Sequence, residues 1–289
     1  AYNNVNLMKE YLKKYKKILF ICSDYPGYGG AATNCDLLQK FFDENHDTFA
    51  LYYNYTDDKN KKYIDDKHIN EKYKIVDEKN LDNELKLLEF KPDLIILKNA
   101  VHIDLQKMFN VPVFYFIPGI FNNKLDKYYY NIPDSSLEKY INKNVIMQIK
   151  RSTLSFCNSK HTLEILNKFG LKTYLFYSGL VPYFNKLLIS NDYFNERIYT
   201  YGIICSNFDR KIKNIHSIIE GLGKGKTILI GKNSHKYKDF VDKITENSTF
   251  CLDLISHNEV LNYLSKIKYI LLDSFYESCI NVRIESFLK

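Results

Sequence analysis

The chain has 289 residues, of which 45% are apolar and 26% charged, a composition typical of a globular protein and unlike that of disordered or collagen-like chains. Its formal net charge is +7, and acidic residues are mixed among the basic ones, without the concentrated basic patch typical of nucleic-acid-binding proteins. The longest nearly uncharged apolar run covers residues 111–121, which is shorter than the roughly 18 residues of a membrane-spanning helix. These features exclude a membrane-spanning or disordered chain and argue against a nucleic-acid partner.

Six cysteines stand at positions 22, 35, 157, 205, 251 and 279. They form no CxxC pair, and no histidine cluster stands near them, so their pattern does not predict a zinc site. Several lie in or beside apolar segments, which is typical of buried, reduced thiols. We therefore expect a reducing compartment such as the cytoplasm.

Short apolar runs alternate with segments of helical spacing along the first 180 residues. Strands are predicted at residues 16–23, 48–55, 92–100, 111–119, 153–159 and 173–179. Helices are predicted at 34–45, 81–90, 137–152 and 161–170, the last of them closed by Gly170. Alternation of this kind, with continuously apolar strands, is typical of parallel sheets covered by helices on both faces.

The same alternation restarts near residue 195. Strands are predicted at 197–205, 226–231, 248–255 and 268–274, and helices at 214–222 and 257–266. The pattern predicts an α/β protein with two Rossmann-like domains, residues 1–180 and 195–289, joined by a linker at 181–194 and facing each other across a cleft. Because the second run has fewer strands than a doubly wound domain usually has, we expect the C-terminal domain to be incomplete.

The first loop, SDYPGYGGAATN at residues 23–34, contains the closely spaced glycines Gly27, Gly29 and Gly30. Glycines permit tight turns and let a ligand approach the backbone, and free amides at the following helix start favour a phosphate or a sugar oxygen. The same residues also suit a plain turn. The spacing is neither GxGxxG nor a P-loop, so it argues against those two kinds of nucleotide site.

A second loop, SNFDRKIKN at residues 206–214, follows the first predicted strand of the C-terminal domain and precedes a helix. Arg210, Lys211 and Lys213 could meet a diphosphate there; the alternative is a solvated basic turn. Gly231 ends the next predicted strand. A base or ribose could rest on that turn, and a bare turn is the alternative.

The segment DSFYESCINVRIESFLK at residues 273–289 contains two glutamates, Glu277 and Glu285, with seven residues between them. Ser278 can cap a helix that starts near Cys279, and the amides of residues 279–282 could then hold a phosphate. The carboxylates are suitable acceptors for paired sugar hydroxyls. Taken alone, two glutamates at this spacing more often mark the solvent-exposed side of an ordinary helix than a binding site.

Together, and in this order, these features resemble the GT-B glycosyltransferases, and most closely their retaining family 4. The resemblance covers nearly the whole chain and rests on the Gly-Gly loop after KILFICSDYP, the segments CNSKHTLEIL, YSGLVP and ILIG, the pair KN before a helix, and the E-x7-E motif at 277–285. It implies a transfer of a sugar to an acceptor hydroxyl with retained anomeric configuration and without a bound metal ion. The co-substrate would be a nucleotide sugar, most often a UDP- or GDP-sugar, and no other cofactor is implied.

The resemblance also implies roles for individual residues. Glu277 and His102 are the catalytic candidates; Glu277 would hold the donor-sugar hydroxyls, Glu285 the ribose and Lys213 the diphosphate. The other donor-binding candidates are Gly29, Gly30, Asn207, Arg210, Gly231, Ser278, Cys279, Ile280, Asn281 and Val282. The acceptor, whether glycan, lipid or protein, is not specified, and peripheral contact with a membrane surface belongs to the same expectation.

Three positions depart from the family pattern. Asn207 stands where the family often has an arginine, a role that Arg210 could take. The turn after residues 111–119 lacks a frequent histidine, for which His102 could compensate, and Ile280 stands where glycine is frequent. These departures leave two alternatives, a catalytically degenerate GT-B protein that binds without turnover and a nucleotide-sugar epimerase of GT-B fold.

Overall fold

A computed structural model describes residues 11–23, 29–54, 72–121, 139–176, 196–246 and 248–274 of the chain. These residues form two compact units, the first built by residues up to Phe121 and from Ile141 to Phe176, the second mainly by residues from Glu196 onward. The predicted linker, 181–194, lies outside the described residues. The predicted domain boundaries therefore stay predictions.

The first unit contains a seven-stranded sheet and the helices that connect its strands. The strands are β1 (Lys17–Ser23), β2 (Asp47–Asn54), β3 (Tyr73–Asp77), β4 (Leu94–Leu97), β5 (Val113–Ile117), β6 (Leu154–Cys157) and β7 (Tyr174–Leu175). The helices are α1 (Gly29–Asp43), α2 (Leu81–Lys86), α3 (Leu105–Phe109), α4 (Lys143–Arg151) and α5 (Lys160–Lys168).

Every pairing in this sheet is parallel, and the strand order is β3-β2-β1-β4-β5-β6-β7. The chain builds outward from β1 to β3 on one side and then returns to build β4 to β7 on the other. In β1, Ile18 pairs with Thr48 of β2 and with Leu94 of β4. The order therefore reverses between β1 and β4, as in a doubly wound sheet.

Burial explains why β1 is continuously apolar. Ile18, Phe20 and Cys22 point to the side that α1 covers and pack in one core with Leu38 and Phe42 of that helix. The residues between them point to the opposite side and are also fully buried. A central strand buried on both faces needs apolar residues at every position, which is the pattern that predicted a parallel sheet.

The second unit repeats this design with fewer strands. It contains β8 (Tyr199–Asn207), β9 (Thr227–Lys232), β10 (Thr249–Leu252) and β11 (Ile267–Ile270), with helices α6 (Ile215–Glu220), α7 (Lys238–Thr245) and α8 (His257–Leu264). The described strands pair in parallel in the order β10-β9-β8-β11, so this order reverses between β8 and β11.

Both faces of the second sheet are covered. On one face, Leu229 of β9 packs with Val241 of α7, and on the other, Ile230 packs with Leu261 and Leu264 of α8. The α/β class, the parallel sheets and the four strands predicted for this part of the chain are all confirmed.

Several elements differ from the sequence predictions. The strand β3 and the helices α3 and α7 were not predicted, because they are short and bury few side chains. Val76 is the one buried residue of β3, and Leu105 is the one buried residue of α3. Helix α1 begins at Gly29 rather than at residue 34, so Gly29 and Gly30 are helical residues and not part of the loop. Among the described residues of the predicted helix 137–152, helix α4 occupies Lys143–Arg151.

The predicted helix end at Gly170 is confirmed. Gly170 has a φ of +66°, and its N–H donates to the carbonyl of Asn167 at 2.9 Å, while the N–H of Leu171 donates to Leu166 at 3.1 Å. A glycine in the left-handed region after the last helical turn is a common way to satisfy the final carbonyls.

The described cysteines are free thiols, three of them buried (Cys22, Cys35 and Cys157) and two half-buried (Cys205 and Cys251). Cys279 lies outside the described residues. None of the helices in the described ranges is both long enough and apolar enough to cross a membrane.

Candidate functional site

The strongest candidate site lies at the carboxyl end of β8, where the second sheet reverses its strand order. The loop that leaves this strand begins with a turn, in which the Oδ1 atom of Asn207 accepts a hydrogen bond from the N–H of Asp209 at 3.0 Å. The same oxygen accepts from Nδ2 of Asn233 at 3.4 Å. The side chain of Asn207 therefore holds the loop together, and its predicted contact with the donor stays a prediction.

Three basic residues follow in the same loop, Arg210, Lys211 and Lys213. Residues Lys211–Lys213 form a single 3-10 turn, closed by the N–H of Lys213 donating to the carbonyl of Arg210 at 3.0 Å. The side chains of Arg210 and Lys213 are half-buried. Their loop continues directly into α6, which begins at Ile215.

The thiol of Cys205, near the end of β8, lies close enough to Lys213 and Arg210 for their charges to act on its pKa. Burial raises the pKa of this thiol from 9.0 to about 11, and the positive charges of Lys213 and Arg210 act in the opposite direction. The structure thus brings to one strand end two of the three basic residues that the sequence proposed for a diphosphate, Arg210 and Lys213.

One flank of the loop is tied to the turn after β9. Oδ2 of Asp209 accepts hydrogen bonds from Nδ2 of Asn233 at 2.8 Å and from Nζ of Lys236 at 2.7 Å. The hydroxyl of Tyr237 donates to the carbonyl of Phe208 at 3.1 Å. The ion pair is exposed and contributes little stability alone, but together these contacts determine where the loop lies.

The other flank is tied to the segment that follows β11. Nδ2 of Asn214 donates to Oδ2 of Asp273 at 2.7 Å, across 59 positions of sequence. The N–H of Leu271 donates to the carbonyl of Gly202 in β8 at 2.9 Å. In open α/β sheets, ligands bind where the carboxyl ends of the strands diverge at such a reversal.

The segment after β11 leads into the E-x7-E motif. The predicted site residues of that motif lie outside the described residues: Glu277, Ser278, Cys279, Ile280, Asn281, Val282 and Glu285. Their roles stay predictions. What the structure shows is that the described end of this segment, at Asp273, lies beside the loop that carries Lys213.

Gly231 has a packing reason to be glycine. Its φ is +144°, and a Cβ atom at this position would lie 1.8 Å from the carbonyl oxygen of Cys205 in the neighbouring strand. The pairing of β8 and β9 shifts register between Ile204 and Asn207, and the glycine permits the close approach there. The predicted contact of Gly231 with a base or ribose stays a prediction.

The first sheet has a second candidate region at its own reversal point, between β1 and β4. Oδ1 of Asn99, just after β4, accepts from the N–H of Ser23 at 3.2 Å and from Sγ of Cys22 at 3.4 Å. Gly29 and Gly30 begin α1, the helix that follows β1 in the chain. Residues 24–28 of the glycine-rich loop lie outside the described residues.

His102 lies in the segment between β4 and α3, and its side chain is exposed. Its backbone carbonyl accepts a hydrogen bond from Nη1 of Arg151 at 3.2 Å. The histidine therefore follows the carboxyl end of a central strand, a suitable place for a functional residue, and its catalytic role stays a prediction.

Sequence reasoning missed Lys98, which directly follows β4. Its side chain is only 4% exposed, and its Nζ atom lies 5.3 Å from the ring centroid of Phe116. A buried ammonium is costly unless its surroundings compensate for the charge, so its position at the reversal point of the first sheet makes it a further candidate. The available signal was a lysine at the end of the apolar run LIILK.

No group of three or more His, Cys, Asp or Glu side chains that could hold a metal ion occurs in the described ranges.

The chain is similar in fold to several solved structures. The chain is similar to an α-glucosyltransferase in complex with UDP and a 13-mer DNA containing an HMU base, with a TM-score of 0.61, 13% identity, and coverage of 93% of this chain and 77% of that one. It is also similar to the lipopolysaccharide outer core galactosyltransferase WaaB (TM-score 0.52, 14% identity, 91% and 75% covered). A third similar structure is UDP-N-acetylglucosamine 2-epimerase from Rickettsia bellii (TM-score 0.54, 12% identity, 89% and 73% covered).

Neither a family model nor a curated protein sequence matches the chain. At these identities the structural likeness shows the fold alone, and that fold is GT-B, as the sequence predicted. Membership of family 4 stays a prediction.

Proposed function

We propose that the chain is a glycosyltransferase that moves a hexose from a nucleotide-sugar donor to an acceptor hydroxyl, with retained anomeric configuration and without a bound metal ion. The observation that carries the proposal is the hydrogen bond between Asn214 and Asp273. It holds the basic loop next to the segment that leads to the E-x7-E motif, in a chain of GT-B fold. Two glycosyltransferases, one of them in complex with UDP, are among the similar structures.

In this proposal the cations act on the leaving group. Arg210 and Lys213 are half-buried, so their charges would be less screened by water than those of fully exposed lysines. They would stabilise the negative charge that develops on the nucleoside diphosphate as the sugar departs. The amides of residues 279–282 would add hydrogen bonds to the phosphates, Glu277 would hold the sugar hydroxyls, and Glu285 would hold the ribose.

The test is donor binding. We expect one of the UDP-, GDP- or ADP-sugars to raise the thermal unfolding temperature of the chain, with a stabilisation of about 2.7 kcal/mol at a concentration 100 times Kd. UDP- and GDP-sugars are the expected ligands. No stabilisation by any sugar nucleotide would contradict the proposal.

Two glutamate variants make the test specific. Glu285→Ala should abolish most of the stabilisation by the donor, because it removes the proposed acceptor for the ribose hydroxyls. Glu220→Ala is the matched control, because Glu220 is an exposed glutamate at the end of α6. Equal losses of donor stabilisation in both variants would show a general effect of removing a negative charge rather than the loss of a donor-binding residue.

The acceptor is identified by product analysis with the donor that binds. Glycan, lipid and protein acceptors should each be offered, and so should duplex DNA with an HMU base, because that DNA is bound in one similar structure. The expectation from charge is that no nucleic acid is used. Sugar on the DNA would overturn that expectation while supporting the transferase.

A nucleotide-sugar epimerase is the second candidate, favoured by the similarity to an epimerase at a TM-score of 0.54. The product distinguishes the two: an epimer of the donor sugar supports the epimerase, and a transferred or hydrolysed sugar supports the transferase. Binding without any product would support the degenerate alternative, which the turn-forming role of Asn207 makes worth testing.

A further inference from the structure

Asn214 adopts an unusual backbone conformation at the junction between the basic loop and α6. Its φ is 49° and its ψ is 42°, in the left-handed region. Residues other than glycine are uncommon there, and asparagine is among the few that tolerate it. The position is thus suited to glycine or asparagine, and asparagine adds a side chain.

That side chain does not cap the helix that it precedes. Asparagine at the N-terminal boundary of a helix commonly accepts a hydrogen bond from one of the first backbone amides, but Asn214 makes no such side-chain bond to α6. Instead, its Nδ2 atom donates to Asp273 at 2.7 Å. The side chain therefore connects two segments at the carboxyl edge of the second sheet.

This connection complements the contacts on the opposite flank. Asp209 ties the beginning of the same loop to Asn233 and Lys236 after β9, and Asn214 ties its end to Asp273 after β11. Three basic residues lie between the two attachments and repel one another. A loop attached at both ends keeps such side chains in place before a ligand arrives, which lowers the entropy lost on binding.

We propose that Asn214 and Asp273 are positioning residues of the donor site, whose hydrogen bond holds Lys213 in register with the segment that carries the E-x7-E motif. The ligand is the diphosphate of the sugar nucleotide. The inference rests on the proposed function and assigns to it two residues that lie outside the predicted donor contacts.

The proposal predicts the sign of a mutational effect. Asp273→Ala removes a negative charge near a site for an anion, so electrostatics alone would tighten binding. Loss of the positioning contact would weaken it. We expect the Kd for UDP, GDP or ADP, whichever binds the wild-type chain, to rise about tenfold, which corresponds to about 1.4 kcal/mol.

Two further variants separate the hydrogen bond from charge and backbone. Asp273→Asn keeps an acceptor oxygen for Asn214 while removing the charge, so its Kd should stay within about twofold of wild type or fall. Asn214→Gly keeps the left-handed backbone accessible while removing the donor and leaving the charge of Asp273, so it should raise Kd at least as much as Asp273→Ala. The matched control is Asp253→Ala, an exposed aspartate that follows β10, which should leave Kd unchanged.

A double-mutant cycle tests whether the pair acts through Lys213. In a Lys213→Met background, Asp273→Ala should change Kd much less than in wild type, because the side chain that it positions is gone. A merely structural role would weaken binding equally in both backgrounds. All variants are measured as the full chain by isothermal titration calorimetry, with thermal unfolding as the check on folding.

The outcomes are distinct. If the wild type binds a nucleoside diphosphate and Asp273→Ala and Asn214→Gly bind it equally well, the inference is wrong and the proposed function stands. An undiminished effect in the Lys213→Met background also overturns the inference. If the wild type binds none of the three nucleotides, the proposed function fails and the positioning role fails with it.

Discussion

At the scale of single residues, the environment at the end of β8 changes the pKa of the Cys205 thiol. Burial raises its pKa to about 11, against the opposing charges of Lys213 and Arg210. In the unfolded chain the thiol would return to its ordinary pKa of 9.0. The folded state therefore retains the proton over a pH range in which the unfolded state releases it.

This difference predicts a loss of stability at alkaline pH. Between pH 9 and 11 the unfolded chain binds fewer protons than the folded chain, so the free energy of unfolding should fall as pH rises, by up to about 1.4 kcal/mol per pH unit for this one group. Cys205→Ala should remove that component. The measurement is urea unfolding of the wild-type chain and of Cys205→Ala from pH 8 to 11. The difference between their free energies of unfolding should shrink as pH rises. A difference that is constant with pH would contradict the prediction.

The sequence predicted some site residues and could not predict others. Arg210 and Lys213 were found because basic residues between a strand and a helix are a local signal. The bond between Asn214 and Asp273 joins residues 59 positions apart, and the pair belongs to no local pattern. For Lys98 the available signal is its place at the end of an apolar run, and that signal does not tell whether the side chain is buried or turned to solvent.

At the scale of secondary-structure elements, the contact between β8 and β9 depends on Gly231. We predict that Gly231→Ala destabilises the chain by about 3 kcal/mol or more, because the new methyl group would collide with the carbonyl of Cys205 and the left-handed φ adds strain. The measurement is the midpoint of urea unfolding.

Gly119→Ala is the control for that variant. A Cβ atom at Gly119 would have no heavy atom within 4 Å, so this change should alter stability by no more than about 0.5 kcal/mol. Similar effects of the two substitutions would show that the close approach of the strands is not what requires glycine at 231.

Elements were predictable where burial was deep. β1, β5 and β9 are nearly fully buried, and their apolar runs stood out in the sequence. β3 lies at the sheet edge, and Val76 is its one buried residue. Its apolar residues are flanked by charged ones, so no long apolar run marks the strand in the sequence. Helix α7 buries two polar residues, Asp242 and Thr245, beside Val241. Its apolar face is therefore narrow, and the spacing of apolar residues in the sequence does not reveal the helix.

At the scale of the whole molecule, stability should differ between the centre and the edge of each sheet. We predict that amides of interior strands such as β1 and β8 exchange with solvent slowly, because these strands pair on two sides. Amides of β3 and β10 should exchange faster, since each pairs on one side among the described strands. Hydrogen exchange followed by mass spectrometry of peptides measures this, and equal protection of β3 and β1 would contradict it.

The overall architecture was the most predictable feature of the chain, because strand–helix alternation constrains the sheets to be parallel. The strand orders were not predicted. They depend on which side of the first strand each later strand joins, and a sequence of alternating elements contains no local signal for that choice.

The interior placement of β1, between β2 and β4, has a consequence for synthesis on the ribosome. One edge of β1 is covered when β2 emerges, but the other waits for β4, whose Leu94 pairs with Ile18. At about 5–20 residues per second, the delay between the synthesis of β1 and that of β4 is roughly 4–15 s. Throughout it, a continuously apolar strand presents an unpaired edge to other nascent chains, so the rate of translation between these two strands influences how much of the protein reaches the native state.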